Sequence, residues 1–222
     1  MIKLTLPYLN DPITFHENVV YSLIIENSVC FRDVISDLYE QSIGCDGICV
    51  LSSDDKPIPI SKNVELLSNF VPFELSKKSI ISKIQSSLEK TAMDEDHYLK
   101  TLSLLSEIEK YISDLSYDFS VDISSEKLSI GSLIKAVGLT VREDDQTLIE
   151  KIFNYFELIR EFEKDKLFIC VNMRNYFSDN EMKVFFDSII SHKYTLLMIE
   201  SHERALLPYE KRTIIDEDLC EI

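Results

Sequence analysis

The chain has 222 residues, 45% of them apolar, with a formal net charge of −16 at pH 7. A balance this acidic argues against general nucleic-acid binding, since phosphate contacts need a local surplus of Lys and Arg; a basic patch on an otherwise acidic molecule remains compatible with it. No apolar run approaches the roughly 18 residues of a membrane-spanning helix, the first residues lack a signal-peptide pattern, and five cysteines without a framework fit reduced thiols in a cytoplasmic protein.

In chain order, Ile2 to Leu6 alternates as a short strand, and Pro7 and Pro12 bracket a turn. Val19 to Ile25 predicts a strong strand, after which Asn27 or Ser28 can cap a helix with Phe31, Val34, Ile35 and Leu38 on one face. In a nucleotide-binding fold this strand-to-helix junction would carry a glycine-rich loop, so that backbone N–H groups can approach a phosphate. Here the junction reads Glu26-Asn27-Ser28, and the whole chain holds four glycines, Gly44, Gly47, Gly131 and Gly138. The glycine count therefore argues strongly against a phosphate loop. Gly44-Cys45-Asp46-Gly47 is turn chemistry before a strand at Ile48 to Leu51, and Pro57 and Pro59 confine the following segment to an edge or loop.

From about Leu75 to Phe119 the pattern turns helical. A first helix places Ile80, Ile81, Ile84 and Leu88 inward with Lys83 and Lys90 on the opposite face; a second places Leu102, Leu105, Ile108, Ile112 and Leu115 inward. The two predict a helical hairpin inserted into a sheet domain. A third helix, Ser129 to Val137, ends at Gly138, a natural C-cap. Thr147-Leu148-Ile149-Glu150 is a capping box opening a helix with Ile149, Ile152, Phe153, Phe156 and Ile159 inward.

The clearest pattern lies in Lys166 to Ser201. Two nearly continuous apolar runs, Leu167 to Met173 and Thr195 to Ile199, flank a helix with Met182, Phe185, Phe186, Ile189 and Ile190 on one stripe. That helix opens on the capping box Ser178 to Glu181, so the stretch predicts a βαβ unit with parallel strands. A last strand is expected at Thr213 to Ile215.

Chemistry-bearing residues are sparse. His16, His97, His192 and His202 are scattered and none adjoins a nucleophile in a recognisable turn, so no catalytic role is assigned. Cys45 and Cys49 lack a second ligand pair at zinc-finger spacing. Glu200 and Asp216 to Asp218 follow strands and suit either a two-metal site or ordinary solvated strand ends, the second reading being favoured. Asp114, Asp118, Asp122 and Glu126 recur every four residues, a carboxylate grouping that suits a hard cation such as Ca²⁺, or else a solvated helix face.

The ordered set Leu133 to Leu139, Leu148 to Lys151, Lys166 to Asn172, Leu196 to Glu200 and Ile214 to Asp218 resembles the Csn-two family of CRISPR-associated adaptation proteins from type II-A systems. The similarity covers Ser129 to Leu219 well, Met1 to Ser42 loosely and the helical middle least. It implies an α/β fold with an ATPase-like head lacking a functional phosphate loop (residues 1–70 and 145–222) and an inserted α-helical leg (residues 71–144). It also implies a homotetrameric ring, not an enzyme, that binds double-stranded DNA ends through a basic channel and works with the CRISPR integrase pair and the RNA-guided effector nuclease in spacer acquisition. By position, Asp118, Asp122 and Glu126 fall at the family's calcium carboxylates, although Phe119, Ser120, Ser124 and Ser125 stand where relatives carry more acids. Lys135, Lys164 and Lys166 match its basic positions, whereas Lys83 and Lys90 are DNA-contact candidates on local charge alone. The competing expectation is a protein-interaction scaffold for the adaptation complex that does not itself touch DNA.

Overall fold

A computed structural model describes residues 1–121, 123–163 and 166–222. The chain divides into two compact units, Met1–Phe73 with Gln146–Ile222, and the intervening Glu74–Asp145.

The first unit is organised by a five-stranded parallel sheet. Its central strands are β3 (Val20–Ile25), β7 (Leu167–Val171) and β8 (Thr195–Glu200); β6 (Val64–Leu67) and β9 (Glu210–Ile215) close its edges in the order β6-β7-β8-β3-β9. Every residue of β3 and β7 is buried, which is why these segments read as continuous apolar runs rather than alternating ones. The register pairs Leu167 with Val64 on one side and with Thr195 on the other, and Tyr21 with Leu197.

One face of this sheet packs on α1 (Ser28–Ser42) through Cys30, Val34 and Leu38. The same core takes in Leu4, Leu6 and Leu51 from a smaller antiparallel sheet of β1 (Ile2–Thr5), β2 (Ile13–Thr14), β4 (Val50–Ser53) and β5 (Lys56–Ile58), ordered β2-β1-β4-β5. A one-turn helix α2 (Ile60–Asn63) leads into β6. The other face carries α6 (Leu148–Phe162) and α7 (Asp179–Ser191), labelled by their place in the chain. Phe156 of α6 stacks on Phe168 of β7 at 3.8 Å and meets Phe185 of α7 edge-on at 5.8 Å. Both helices open on the two capping boxes expected, Thr147 with Glu150 and Ser178 with Glu181.

The second unit holds α3 (Lys78–Ala92), α4 (Tyr98–Ser116) and α5 (Ile130–Val137). Its ends are tied together: Leu75 N–H donates to Glu143 Oε1 at 2.7 Å and Val141 N–H to Ser76 Oγ at 3.0 Å. The helical hairpin is stitched where Thr101 Oγ1 donates to the Ala92 carbonyl at 2.7 Å. α5 packs closely on α3, because Gly131 leaves room for Glu89: a Cβ there would sit 2.9 Å from the Glu89 carboxylate. That carboxylate lies against the first turn of α5, where the helix dipole favours a negative charge. Gly138 ends α5 in the left-handed region at φ +69°.

Five expectations change. Val64–Leu67 enters the parallel sheet, a position its short, non-periodic run does not signal. The strand expected at Ile48 to Leu51 forms at Val50–Ser53, and β9 begins at Glu210 rather than Thr213. On α4 the inward positions are Thr101 and Leu105, while Leu102, Ile112 and Leu115 are exposed. Leu88 of α3 is exposed as well. Among the described residues no helix is long and apolar enough to cross a membrane.

Candidate functional site

In a parallel α/β sheet, ligands gather at the carboxyl ends of the strands, beside the N-terminus of the helix that follows the first strand. Here that N-terminus is closed by its own chain. Asn27 Oδ1 accepts from Val29 N–H at 3.1 Å and Cys30 N–H at 3.0 Å, the donors a phosphate would use. Asn27 Nδ2 donates to the Glu217 carbonyl at 2.9 Å, so both ends of the amide are held. Glu26 precedes it and Asp216 and Glu217 end the neighbouring strand, adding negative charge where a nucleotide would bring more. The site cannot work as a phosphate cradle.

Glu200, expected at a solvated strand end, is 2% exposed. It accepts the Arg174 N–H at 3.1 Å and that of Met173, both from the 3₁₀ turn Met173–Asn175 that follows β7. Burial pushes its carboxyl up to about 7, against the downward pull of those N–H groups and of Arg174 and Arg204. The neighbouring Cys170 thiol is held far above its usual range, first by its own full burial and then by the Glu200 charge beside it. Arg174 is equally buried; its guanidinium meets Asp179, the Ala205 carbonyl and Glu210. Glu200 therefore has partners suited to holding a turn, and the two-metal arrangement considered for Glu200 and Asp216 is not assembled: among the described residues no group of three or more His, Cys, Asp or Glu side chains is placed to hold a metal.

The basic positions fall into different settings. Lys166 has a side chain only 6% exposed, with Nζ 2.5 Å from Glu163 Oε2 and 3.6 Å from Glu65 Oε2. Tyr155 donates to the other oxygen of Glu65, so β6, α6 and β7 meet in one polar knot. The Lys166 charge is met by these two carboxylates inside the first unit. Lys166 and Arg160 line a groove of about 300 Å³ with Lys193; Arg160 donates to the neutral His192 carbonyl and keeps its charge, while Lys193 faces Glu17 at the surface. Lys164 lies outside the described residues. In the second unit, Lys135 on α5 and Lys90 on α3 are exposed and Lys83 is half-buried. These stand on two helices packed on each other.

Asp118 and Glu126 are both exposed, in the segment after α4, and Asp122 lies outside the described residues. Glu126 lines an open groove with Glu109, whose carboxylate accepts the Leu128 N–H at 2.8 Å, and with Lys110 and Lys127. The histidines stay apart: His97 pairs with Asp94, His192 with the Ser188 carbonyl and His202 with Ser201. All five cysteines are free; Cys49 is buried and its thiol bonds Asp37, while Cys45 is exposed. Sequence reasoning missed the Glu65–Lys166 pair and the Glu200–Arg174 pair. The signal for both was available, since a lone carboxylate inside an apolar strand requires a buried cationic or N–H partner.

Comparison with known proteins accords with this arrangement. A family model described as CRISPR-associated protein (Cas_Csn2) matches residues 41–219. The CRISPR-associated protein Csn2 of Streptococcus agalactiae is 21% identical over 220 residues, covering 98% of this chain and 96% of the relative. That of Enterococcus faecalis is 20% identical over 202 residues, covering 90% of each. Among solved structures, Stu0660 of Streptococcus thermophilus aligns with a TM-score of 0.55 at 12% identity, over 89% of this chain and 68% of that one. The cbiO1 subunit from Clostridium perfringens, part of an ABC transporter complex, aligns with a TM-score of 0.51 at 11% identity, over 96% and 78%. At such identities the likeness shows the fold, an ATPase-like α/β head.

Proposed function

The chain belongs to the Csn2 family of CRISPR-associated proteins, and we propose that it serves CRISPR adaptation as a non-catalytic, ring-forming cytoplasmic protein that binds the ends of double-stranded DNA. The observation that carries the reading is the contrast between the two units. The ATPase-like crevice is plugged by Asn27 and fenced by acids, while exposed lysines stand on the paired helices α3 and α5. Backbone contacts of this kind position a duplex without reading its sequence. In a homotetramer a few lysines per chain are multiplied fourfold, which offsets an acidic exterior that discourages binding elsewhere. Lys135 and Lys90 are the foremost phosphate contacts in this reading, with Lys83 beside them; Lys164 joins them by its family position, and Lys166 is given a structural place. Asp118, Asp122 and Glu126 are the carboxylates that would hold Ca²⁺, whose preference for hard oxygen ligands suits them; no step of DNA binding is routed through the ion. The integrase pair and the RNA-guided effector nuclease are the partners in this reading.

Duplex binding as a function of salt tests it. Affinity should fall with a slope of about −0.9 per phosphate neutralised, and Lys135→Ala should flatten that slope by roughly the number of chains contacting the duplex. Salt-independent binding, or affinity unchanged by Lys135→Ala and Lys90→Ala together, contradicts it. The scaffold reading rests on the net charge of −16 and on exposed Leu99, Leu104, Tyr111 and Leu115 along α4. It predicts no duplex binding at any salt concentration.

A further inference from the structure

Of the large apolar side chains of the second unit, only Leu75, Ile80 and Leu105 are buried among the described residues. The segment after α4 is the most open part. Tyr117, Phe119, Val121 and Ile123 are 88%, 62%, 70% and 50% exposed. In the sequence they alternate with Asp118, Ser120 and Asp122, the last outside the described residues. Four aromatic or β-branched side chains at period two, with no Gly or Pro among them, make the pattern of a half-buried strand. The segment is not paired as one. The Tyr117 and Phe119 N–H groups reach back to the Asp114 and Ser116 carbonyls in turn bonds of 3.3 Å, and Ser120, Val121 and Ile123 make no backbone hydrogen bond among the described residues. A strand needs an edge to pair with, and the second unit holds only helices among the described residues.

The pattern points to its own partner. From Ser120 outward it reads the same in both directions: Phe119 and Val121, then Asp118 and Asp122, then Tyr117 and Ile123, then Ser116 and Ser124. Two copies paired antiparallel about a twofold axis at Ser120 therefore set apolar against apolar at every step. Phe119 meets Val121 of the second copy and Tyr117 meets its Ile123, aromatic and β-branched pairs that rank among the favoured cross-strand contacts. Asp118 falls opposite the register position of Asp122 on the other face, which stays in water, where salt screens the like charges.

Two strands alone are marginal in water, so the ribbon needs further apolar surface. Tyr111 and Leu115, both exposed and one turn apart on the end of α4, extend it. These six side chains leave on the order of 700 Å² open to water, judged from the size of aromatic and aliphatic groups. A stable interface buries about 800 Å² per partner, so the patch is large enough to hold two copies together. We propose that residues 117–123 pair antiparallel with the same segment of a second copy, joining two second units through a two-stranded ribbon. This rests on the self-association in the reading above and not on its DNA binding. The contact should strengthen with salt, the opposite of duplex binding.

Disulfide capture in the full chain tests it. Across a twofold axis at Ser120 the two Cβ atoms of that residue stand about 4.5–5.5 Å apart, close enough for a disulfide after a small adjustment. Under mild oxidation Ser120→Cys is expected to give interchain dimer about tenfold above the wild type, whose exposed Cys45 and Cys220 set the background. Ser116→Cys, which the register places opposite residue 124 rather than itself, should stay at that background. Phe119→Asp added to Ser120→Cys should abolish capture and lower the native mass, while its exposed position leaves the urea midpoint in place. Capture at Ser120 no better than background, or equal capture at Ser116, overturns the pairing. So do a mass and a capture that Phe119→Asp leaves unchanged. A wild-type tetramer in any of these cases leaves the ring reading standing, whereas a wild-type monomer removes both.

Discussion

Lys166 and Lys135 are the same residue type with opposite roles in this account. Lys166 is enclosed and shared between Glu163 and Glu65, so removing its ammonium takes the shared cation from two partly buried carboxylates. Breaking such a pair costs about 3–5 kcal/mol, and Lys166→Met is expected to lower the urea midpoint accordingly. Lys135→Ala, on an exposed helix face, should leave that midpoint within about 0.5 kcal/mol while weakening duplex binding. Equal stability losses in the two variants would contradict the assignment. Glu200 gives a pH prediction of its own. Its carboxyl value is raised in the fold, so its contribution to stability is complete below pH 4.5 and is lost as pH rises to about 7. At 1.36 kcal/mol per pH unit that loss amounts to roughly 3 kcal/mol. Urea unfolding at pH 5 and pH 8 should show Glu200→Gln gaining on the wild type only at the higher pH.

At the scale of elements, local chemistry decides what holds. Asn27 accepts two first-turn N–H groups of α1, and Asn27→Ala is expected to cost about 0.5–2 kcal/mol, read by thermal or urea unfolding. The same variant should gain no affinity for ATP, since Glu26 and the acids after β9 remain and no lysine stands at the junction; measurable nucleotide binding would overturn the plugged-crevice reading. The βαβ unit from Leu167 to Glu200 was legible because β7 and β8 are buried on both faces and α7 shows its stripe, with Met182, Phe185, Phe186 and Ile189 all buried. The caps of α1, α5, α6 and α7 were legible for the same reason, their signal lying within four residues. β6 was not. Four residues, one of them Glu65, find their place only against β7, about a hundred positions on, and no periodicity encodes that pairing. On α4 the sequence offers more apolar positions than its own unit covers, so the stripe alone did not identify Thr101 and Leu105 as the buried pair. The site was less legible than the fold. Lysines look alike in a sequence, and what separates Lys166 from Lys135 is the carboxylate across from it.

For the whole molecule the fold and the charge pull on function in different directions. An ATPase-like fold is built around a phosphate loop, and the chain's four glycines and the Asn27 side chain capping the helix terminus argue against one here. A net charge of −16 disfavours DNA, and in the proposed reading exposed lysines repeated by symmetry offset it. If Ca²⁺ at Asp118, Asp122 and Glu126 supports the assembly, a chelator should lower its mass and its DNA affinity together, and unchanged values of both would remove the ion from the account. The most direct measurement is native mass in the presence of linear duplex and, in parallel, of covalently closed circular duplex at the same salt. The account predicts a tetramer that captures linear duplex and leaves closed circles free, because threading requires an end. A monomer or dimer, or a tetramer that binds circles as well as linear duplex, would contradict it.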